Sequence, residues 1–550
     1  MTRTGAQILV DQLVVHGVDT AFCIPGESYL AVLDALHDAP IRLVVARHEA
    51  GAANMADAYG KLTGRPGICL VTRAPGATHA AVGVHTAYQD STPLILLVGQ
   101  VPRSHRGREA FQELDYGSVF GTIAKLVVEA ESAAAFPELV AHAFHVATSG
   151  RPGPVVIALP EDVLDDEADV ADAARYQPAR PAPAASDLER VHGLLARAEK
   201  PFVVVGGGGW TSQAAADLQA WAEASELPVS ASFRRQDYLD NTSPSYAGAL
   251  TIGHSPALAA RLRDADLLLA VGTRLGDIAT RGYTTLAPPR TPQTFVHVHA
   301  DPDELGRVYE PDLPIVADST AFVAGMRALP PLDGSARAAW TESAHSAYLA
   351  SLEHARGAGE LDLGDVIAHL RERLPADAII TNGAGNFSVW AHRFYVFRRY
   401  GTQLAPCSGA MGYGVPAAVA AKVVHPDRVV VCVAGDGDFL MSAQELAAAV
   451  QERTSIVVLL VDNGMYGTIR MHQERQFPGR VVGTDLVNPD FVALAQSYGA
   501  YAERVERSAD FGDAFERALA SGRPALLHLP VDPEAITPSA TLSEIRSGSA

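Results

Sequence analysis

Two apolar runs in the stretch Val429–Asn463, VVVCVAGDGDFLMSAQELAAAVQERTSIVVLLVDN, each end in a polar cluster. The first cluster is Gly435-Asp436-Gly437 and the second Asp462-Asn463. One carboxylate, one amide oxygen and a nearby backbone carbonyl make a hard, oxygen-only half-shell. Magnesium favours such a shell when phosphate and water complete its octahedron. Gly435 and Gly437 would let backbone N–H groups approach a diphosphate closely. A second candidate is Glu49, in VVARHEAGAANMADAYGKLTG. An acid at a helix start favours the macrodipole in any protein, but it is also suited to proton transfer.

The elements that must position these groups follow from the pattern around them. From Asp436 to Asn463 is 27 residues, room for one helix and a returning strand. In a parallel sheet both side chains then stand at the carboxyl ends of adjacent strands, where open α/β sheets bind ligands. Val44 and Val45 end a strand, and Ala50–Leu62 is rich in helix formers, so Glu49 lies at the junction. Two Pro/Ala-rich stretches, Ala171–Asp187 and Leu329–Ala339, lack periodicity and read as linkers. They divide the chain into domains at 1–172, 188–330 and 345–540. Each alternates short Val/Ile/Leu runs with helical patterns, which predicts three doubly wound α/β domains with parallel sheets. SGRPGPVVIALPEDV at Ser149–Val163 returns as SGRPALLHLPVDP at Ser521–Pro533, so the first and third domains read as a duplication.

The chain has 550 residues, 48% of them hydrophobic and 19% charged, ample for several cores. Its 43 Lys and Arg against 63 Asp and Glu give a formal net charge of −20, which argues against nucleic acid or an anionic membrane as a partner. Cys23, Cys69, Cys407 and Cys432 show no metal or disulfide spacing. The N-terminus lacks a secretory apolar region and no run approaches a membrane span, so a cytoplasmic protein is expected.

The GDG-to-Asn spacing resembles the diphosphate signature of thiamine diphosphate enzymes. The run around Glu49 is similar to their RHE-x-x-A-x-x-x-A-x-x-Y-x-R/K-x-x-G segment. VTRAPGATHAAVGVHTAYQDSTPLILLVGQVPRSHRGREAFQELD and APCSGAMGYGVPAAVAA resemble the acetolactate synthase branch in particular. The resemblance spans nearly the whole chain. It implies three domains: pyrimidine-binding, central Rossmann-like and diphosphate-binding. It also implies that Asp436, Asn463 and the Met465 carbonyl hold Mg2+, with Gly435, Gly437 and Asp438 beside the diphosphate. Gly26 and Glu49 would face the aminopyrimidine, Glu49 as acid–base partner of its N1′. Gly409 would accept from the 4′-amino group and Met411 would bend the cofactor into a V. Asn386 and Phe387 would touch the diphosphate, Phe111 and Gln112 would line the substrate side, and Lys125 would stand beside the entrance. The implied reaction decarboxylates a 2-oxo acid, pyruvate foremost, and joins the acyl carbanion to a second carbonyl. The implied assembly is at least a homodimer with its site at the interface, and a homotetramer is expected.

Three departures touch specificity. Glu27 stands in CIPGESYL where the branch has a small pair, and an extra carboxylate there would repel an anionic substrate unless paired or protonated. His79 replaces a usual Asn. His472, in IRMHQE, replaces a Trp that selects the acceptor. They leave open a related decarboxylase, acyltransferase or C–C hydrolase on another 2-oxo compound. The glycines Gly206–Gly209 follow a strand without completing GxGxxG, and Gly276 alters the run after Arg274. The central domain is therefore expected to lack the FAD that many acetolactate synthases hold. The same loop is the only support for a nucleotide-dependent dehydrogenase.

Overall fold

The computed structural model describes residues 2–549. Three six-stranded sheets, every pairing within them parallel, form the three domains. The first runs Arg42–Val45, Thr20–Cys23, Gly67–Val71, Leu94–Gln100, Pro154–Pro160, Leu126–Glu129 in space. The third runs Gln403–Leu404, Ile379–Asn382, Val430–Gly435, Val457–Asp462, Ala525–Pro530, Tyr501–Arg504. Counted from each sheet's own first strand, both orders are second, first, third, fourth, sixth, fifth. This shared topology matches the duplicated plan read from the sequence. The central sheet differs, with the order third, second, first, fourth, fifth, sixth, from Tyr246–Ala249 at one edge to Leu313–Val316 at the other. That is the doubly wound order of dinucleotide folds.

The strands are near-continuous apolar runs because helices cover both faces of each sheet. Every residue of Leu94–Gln100 and Pro154–Pro160 is buried. The helix Glu49–Thr63 begins where His48 Nδ1 accepts the Ala50 N–H at 3.1 Å. It ends at Gly64, whose φ of 67° suits glycine at a helix C-terminus. Its Ala52, Ala53 and Ala56 share one core with Ala417, Ala418 and Ala421 of the helix Gly414–Val424. Small side chains let these two helices approach closely, so the first and third domains are packed through a common interior. Cys23, Cys69 and Cys432 are buried, Cys407 is half-buried, and all four are free thiols. Among the described residues no helix is long and apolar enough to cross a membrane.

Candidate active site

The strands Val430–Gly435 and Val457–Asp462 are parallel neighbours, with Gly435 opposite Val461. Asp436 and Asn463 therefore leave the sheet side by side at its carboxyl edge. They line an open cleft of about 760 Å3 together with Gly435, Gly437, Asp438 and Met465. Asn386, Phe387, Gly409 and Met411 come to the same cleft from two other loops. Asp436 Oδ1 accepts its neighbour's Gly437 N–H at 2.9 Å, and Oδ2 accepts from Asn488 Nδ2 at 2.8 Å. Asn488 Nδ2 also donates to Asp462 Oδ1 at 2.8 Å, and His528 Nε2 lies 2.9 Å from Asp462 Oδ2. Burial pushes the Asp436 carboxyl up to about 6, and the negative charge of Asp462 adds to it. Asn488 Oδ1 is buried without a hydrogen-bond partner. A buried carboxylate, an orphaned amide oxygen and the Asn463 amide are a donor set that fits a hard divalent cation.

The loops opposite are fitted by close packing. A Cβ on Gly385 or Gly435 would meet the Phe387 ring at 2.6 and 2.7 Å, so that ring lies over both glycines. Asn386 is engaged through its side chain, accepting from Thr468 Oγ1 at 2.9 Å and donating to Ile536 O at 2.9 Å. Asp438 Oδ1 accepts the N–H groups of Gly412 at 2.8 Å and Ala384 at 3.2 Å. Burial raises its carboxyl to about 7.

The segment Ala405–Gly412, which carries Gly409 and Met411, is held from all three domains. From the first domain, Lys61 Nζ reaches Ala405 O at 3.3 Å and Asp90 Oδ1 accepts the Cys407 N–H at 2.6 Å. Thr86 Oγ1 lies 3.0 Å from Ser408 Oγ. From the central domain, Arg234 donates to Pro406 O and, at 3.3 Å, to Gly383 O. Beneath it Lys61 joins two fully buried carboxylates, pairing with Asp57 at 2.8 Å and also with Asp90. Tyr413 donates to Asp57 Oδ2 at 2.7 Å.

Glu49 is not among the residues lining the cleft. It lies in the first domain, where its Oε2 is 2.9 Å from His79 Nδ1. His79 stacks on His48 with ring centroids 4.6 Å apart. Glu27 is largely exposed next to Gly26, and its nearest cation is Arg73 at 3.6 Å. Arg73 also pairs with Glu161, and its Nε is buried without a partner. Phe111 is 74% exposed. Gln112 has a left-handed φ of 63°, and its carbonyl accepts the Ala74 N–H at 3.3 Å. Lys125 donates to Val146 O and Ser149 O, both at 2.6 Å, closing the C-terminus of the helix Phe136–Thr148. His472 is exposed on the helix Gly467–Gln476, outside the cleft lining.

Family models match each domain in turn. The N-terminal domain of thiamine pyrophosphate enzymes matches residues 3–119, the central domain 188–326, and the C-terminal domain 383–529. The chain belongs to the thiamine pyrophosphate enzyme family. It is 32% identical over 531 residues to the acetolactate synthase isozyme 2 large subunit of Escherichia coli K12, covering 96% of this chain and 95% of that one. It is 35% identical over 518 residues to the acetolactate synthase large subunit of Parasynechococcus marenigrum, covering 90% and 82%. A probable acetolactate synthase large subunit of Methanocaldococcus jannaschii is 32% identical, covering 97% and 93%. The dehydrogenase alternative falls with this assignment, because all three domains match thiamine pyrophosphate enzymes.

In this thiamine pyrophosphate enzyme the central glycine loop is packed against protein at Gly206 and Gly207, while Gly208 and Gly209 line an open cleft of about 1140 Å3. Gly206 O accepts from Trp210 Nε1 at 2.8 Å, and Gly207 O accepts from Tyr238 at 2.6 Å and Arg235 Nε at 3.2 Å. A Cβ on Gly208 would meet Ser91 O of the first domain at 2.1 Å. Gly206 and Gly207 allow close packing within the central domain, and Gly208 allows its contact with the first.

Sequence reasoning missed Asn488, Arg73, Arg234 and the Lys61–Asp57–Asp90 cluster. The paired arginines in VSASFRRQDYLD, inside a buried run, were the one visible signal. Asn488 sits in an ordinary-looking turn sequence, VNPDF, with nothing local to mark it.

Proposed function

We propose that this chain is a magnesium-dependent thiamine diphosphate carboligase of the acetolactate synthase type, using a 2-oxo acid, pyruvate foremost, as donor. The observation that carries the reading is the single cleft that gathers Asp436, Asn463 and Met465 with Gly409 and Met411. The near full-length similarity to acetolactate synthase large subunits supports it. Asp436, Asn463 and the Met465 carbonyl would hold Mg2+. Gly435, Gly437, Asp438, Asn386 and Phe387 shape the diphosphate side. Met411, which lines the cleft, would support the bend of the bound cofactor, a role suited to its flexible, polarizable side chain. Thiamine diphosphate, when bound, supplies a nucleophilic carbon and an electron sink for decarboxylation. Glu49 is the residue that would serve as acid–base partner of the aminopyrimidine N1′.

Since Glu49 is absent from its own chain's cleft lining, we place the working site between two subunits, each lending Glu49 to its partner, in a homodimer or a homotetramer. The exposed Phe111 and, flanking the cleft, Leu440, Met441 and Ile469 are the apolar surface such an interface would cover. Lys125, spent on two backbone carbonyls, is left out of the mechanism. The central domain is read as a structural unit without FAD.

A second reading keeps the cofactor and changes the acceptor: a decarboxylase, acyltransferase or C–C hydrolase. The exposed Glu27 carboxylate beside Gly26 favours it, since its 3.6 Å contact with Arg73 leaves it poorly neutralised. Incubation with thiamine diphosphate, Mg2+ and pyruvate tests both. Acetolactate formed with CO2 is the expected result. CO2 without acetolactate favours the second reading, and neither product removes pyruvate as donor.

A further inference from the structure

Arg234 is costly to the fold in two ways. Its backbone holds a left-handed φ of 59°, a conformation that glycine adopts freely and a long side chain does not. Its guanidinium is buried, yet it donates only to two backbone carbonyls, and its Nε has no hydrogen-bond partner. Among the described residues no carboxylate pairs with it; Asp90 and Asp438 act on it only from a distance. Backbone strain persists where the surrounding structure imposes it, and a buried charge without a partner is expensive. Such a residue is kept for what it grips.

One nitrogen of the fork donates to Pro406 O, the carbonyl that also accepts the Gly409 N–H at 3.0 Å and so closes the turn Pro406–Gly409. The other donates at 3.3 Å to Gly383 O, at the head of the loop that carries Asn386. Gly383 O has a second donor, Asn382 Nδ2, at 2.7 Å. Neither carbonyl therefore depends on Arg234 for a partner. What the arginine adds is a fixed spacing between two loops of the third domain, set from the central one. Its neighbours hold the same stretch: Asp237 accepts the N–H groups of Thr402 and Gln403 at 2.9 and 3.2 Å, and Cys407 Sγ donates to Phe233 O at 3.3 Å. Gly409 has a left-handed φ of 71° and nothing within 4 Å of where a Cβ would stand, so hydrogen bonds of the turn, not packing, set its orientation. We infer that Arg234 is a positioning residue that aims the Gly409 carbonyl at the cofactor's 4′-amino group. The inference rests on the reading of Gly409 as acceptor for that group. The planar fork spans two carbonyls at once, which the single ammonium of a lysine does not reproduce.

The test compares binding of thiamine diphosphate and of its 4′-deamino analogue, each with Mg2+, to the full-length parent, Arg234→Met and Arg234→Lys. Intrinsic fluorescence reads both affinities. The parent should bind the analogue about three- to tenfold more weakly, the scale of one hydrogen bond. In Arg234→Met that ratio should vanish, and in Arg234→Lys it should shrink. A merely structural loss would weaken both ligands alike and leave the ratio unmoved. Arg234→Met should unfold in denaturant no earlier than the parent, because it orphans neither carbonyl and removes an unpaired buried charge. An undiminished ratio in either variant overturns the positioning role. A parent that binds the two ligands equally overturns instead the reading of Gly409, so the two failures are distinguishable.

Discussion

The Asp438 carboxylate accepts the Gly412 N–H at 2.8 Å, fastening the loop that carries Met411 to the turn that carries Asp436. The same oxygen takes the Ala384 N–H, next to the Asn386 loop. One buried acid thus sets the relative positions of all three loops around the cleft.

Replacing Asp438 by Ala would leave two N–H groups unpaired beside the cleft, Gly412's buried and Ala384's half-buried, at about 1–3 kcal/mol each. The expected outcome is a lower unfolding midpoint and at least tenfold weaker thiamine diphosphate binding, read by quenching of intrinsic fluorescence. Asp438→Asn, which keeps one acceptor, should lose less of both.

Lys61 is the only cation directly paired with Asp57 and Asp90 among the described residues. Lys61→Met would leave two wholly buried carboxylates facing each other, a change that costs about 3–5 kcal/mol when a buried pair is broken. Denaturant unfolding should show this loss. Lys61→Arg should recover part of it, because the charge is kept but the geometry of its donors changes.

Asp436→Ala should separate stability from binding. In the cofactor-free protein it removes a carboxylate that burial and Asp462 hold at about 6, so the variant should melt no lower than the parent. Thermal shift by thiamine diphosphate with Mg2+ should vanish. A retained magnesium-dependent shift would remove Asp436 from the metal site.

Glu445 accepts the Arg47 N–H at 3.1 Å, and burial raises its carboxyl from 4.5 to about 7. The folded chain therefore holds this proton more tightly than the unfolded one. Its contribution to stability is fully present below pH 4.5 and is lost as pH rises through about 7, a fall of about 3 kcal/mol. The advantage of Glu445→Gln over the parent should grow from pH 4.5 to pH 8, compared by denaturant midpoints.

The sequence by itself determined what is local. Strand length, helix patterning and the 27-residue interval placed Asp436 and Asn463 at neighbouring strand ends, because a parallel sheet fixes where each βα turn emerges. Glu49 was legible for the same reason, at the start of a helix whose strand had just ended. The repeated SGRP segments likewise signalled two domains of one topology.

Only the tertiary structure decided which distant groups meet. Asn488 bridges Asp436 and Asp462 across a loop whose course no periodicity reports. Asp90 and Arg234 reach the Met411 loop from two other domains. His79 looked like a substitution affecting specificity, and the fold put it on Glu49. Hydrophobic pattern is set by each element's own two faces. Hydrogen bonds between buried polar groups depend on how those faces are docked, and that is a property of the packed chain alone.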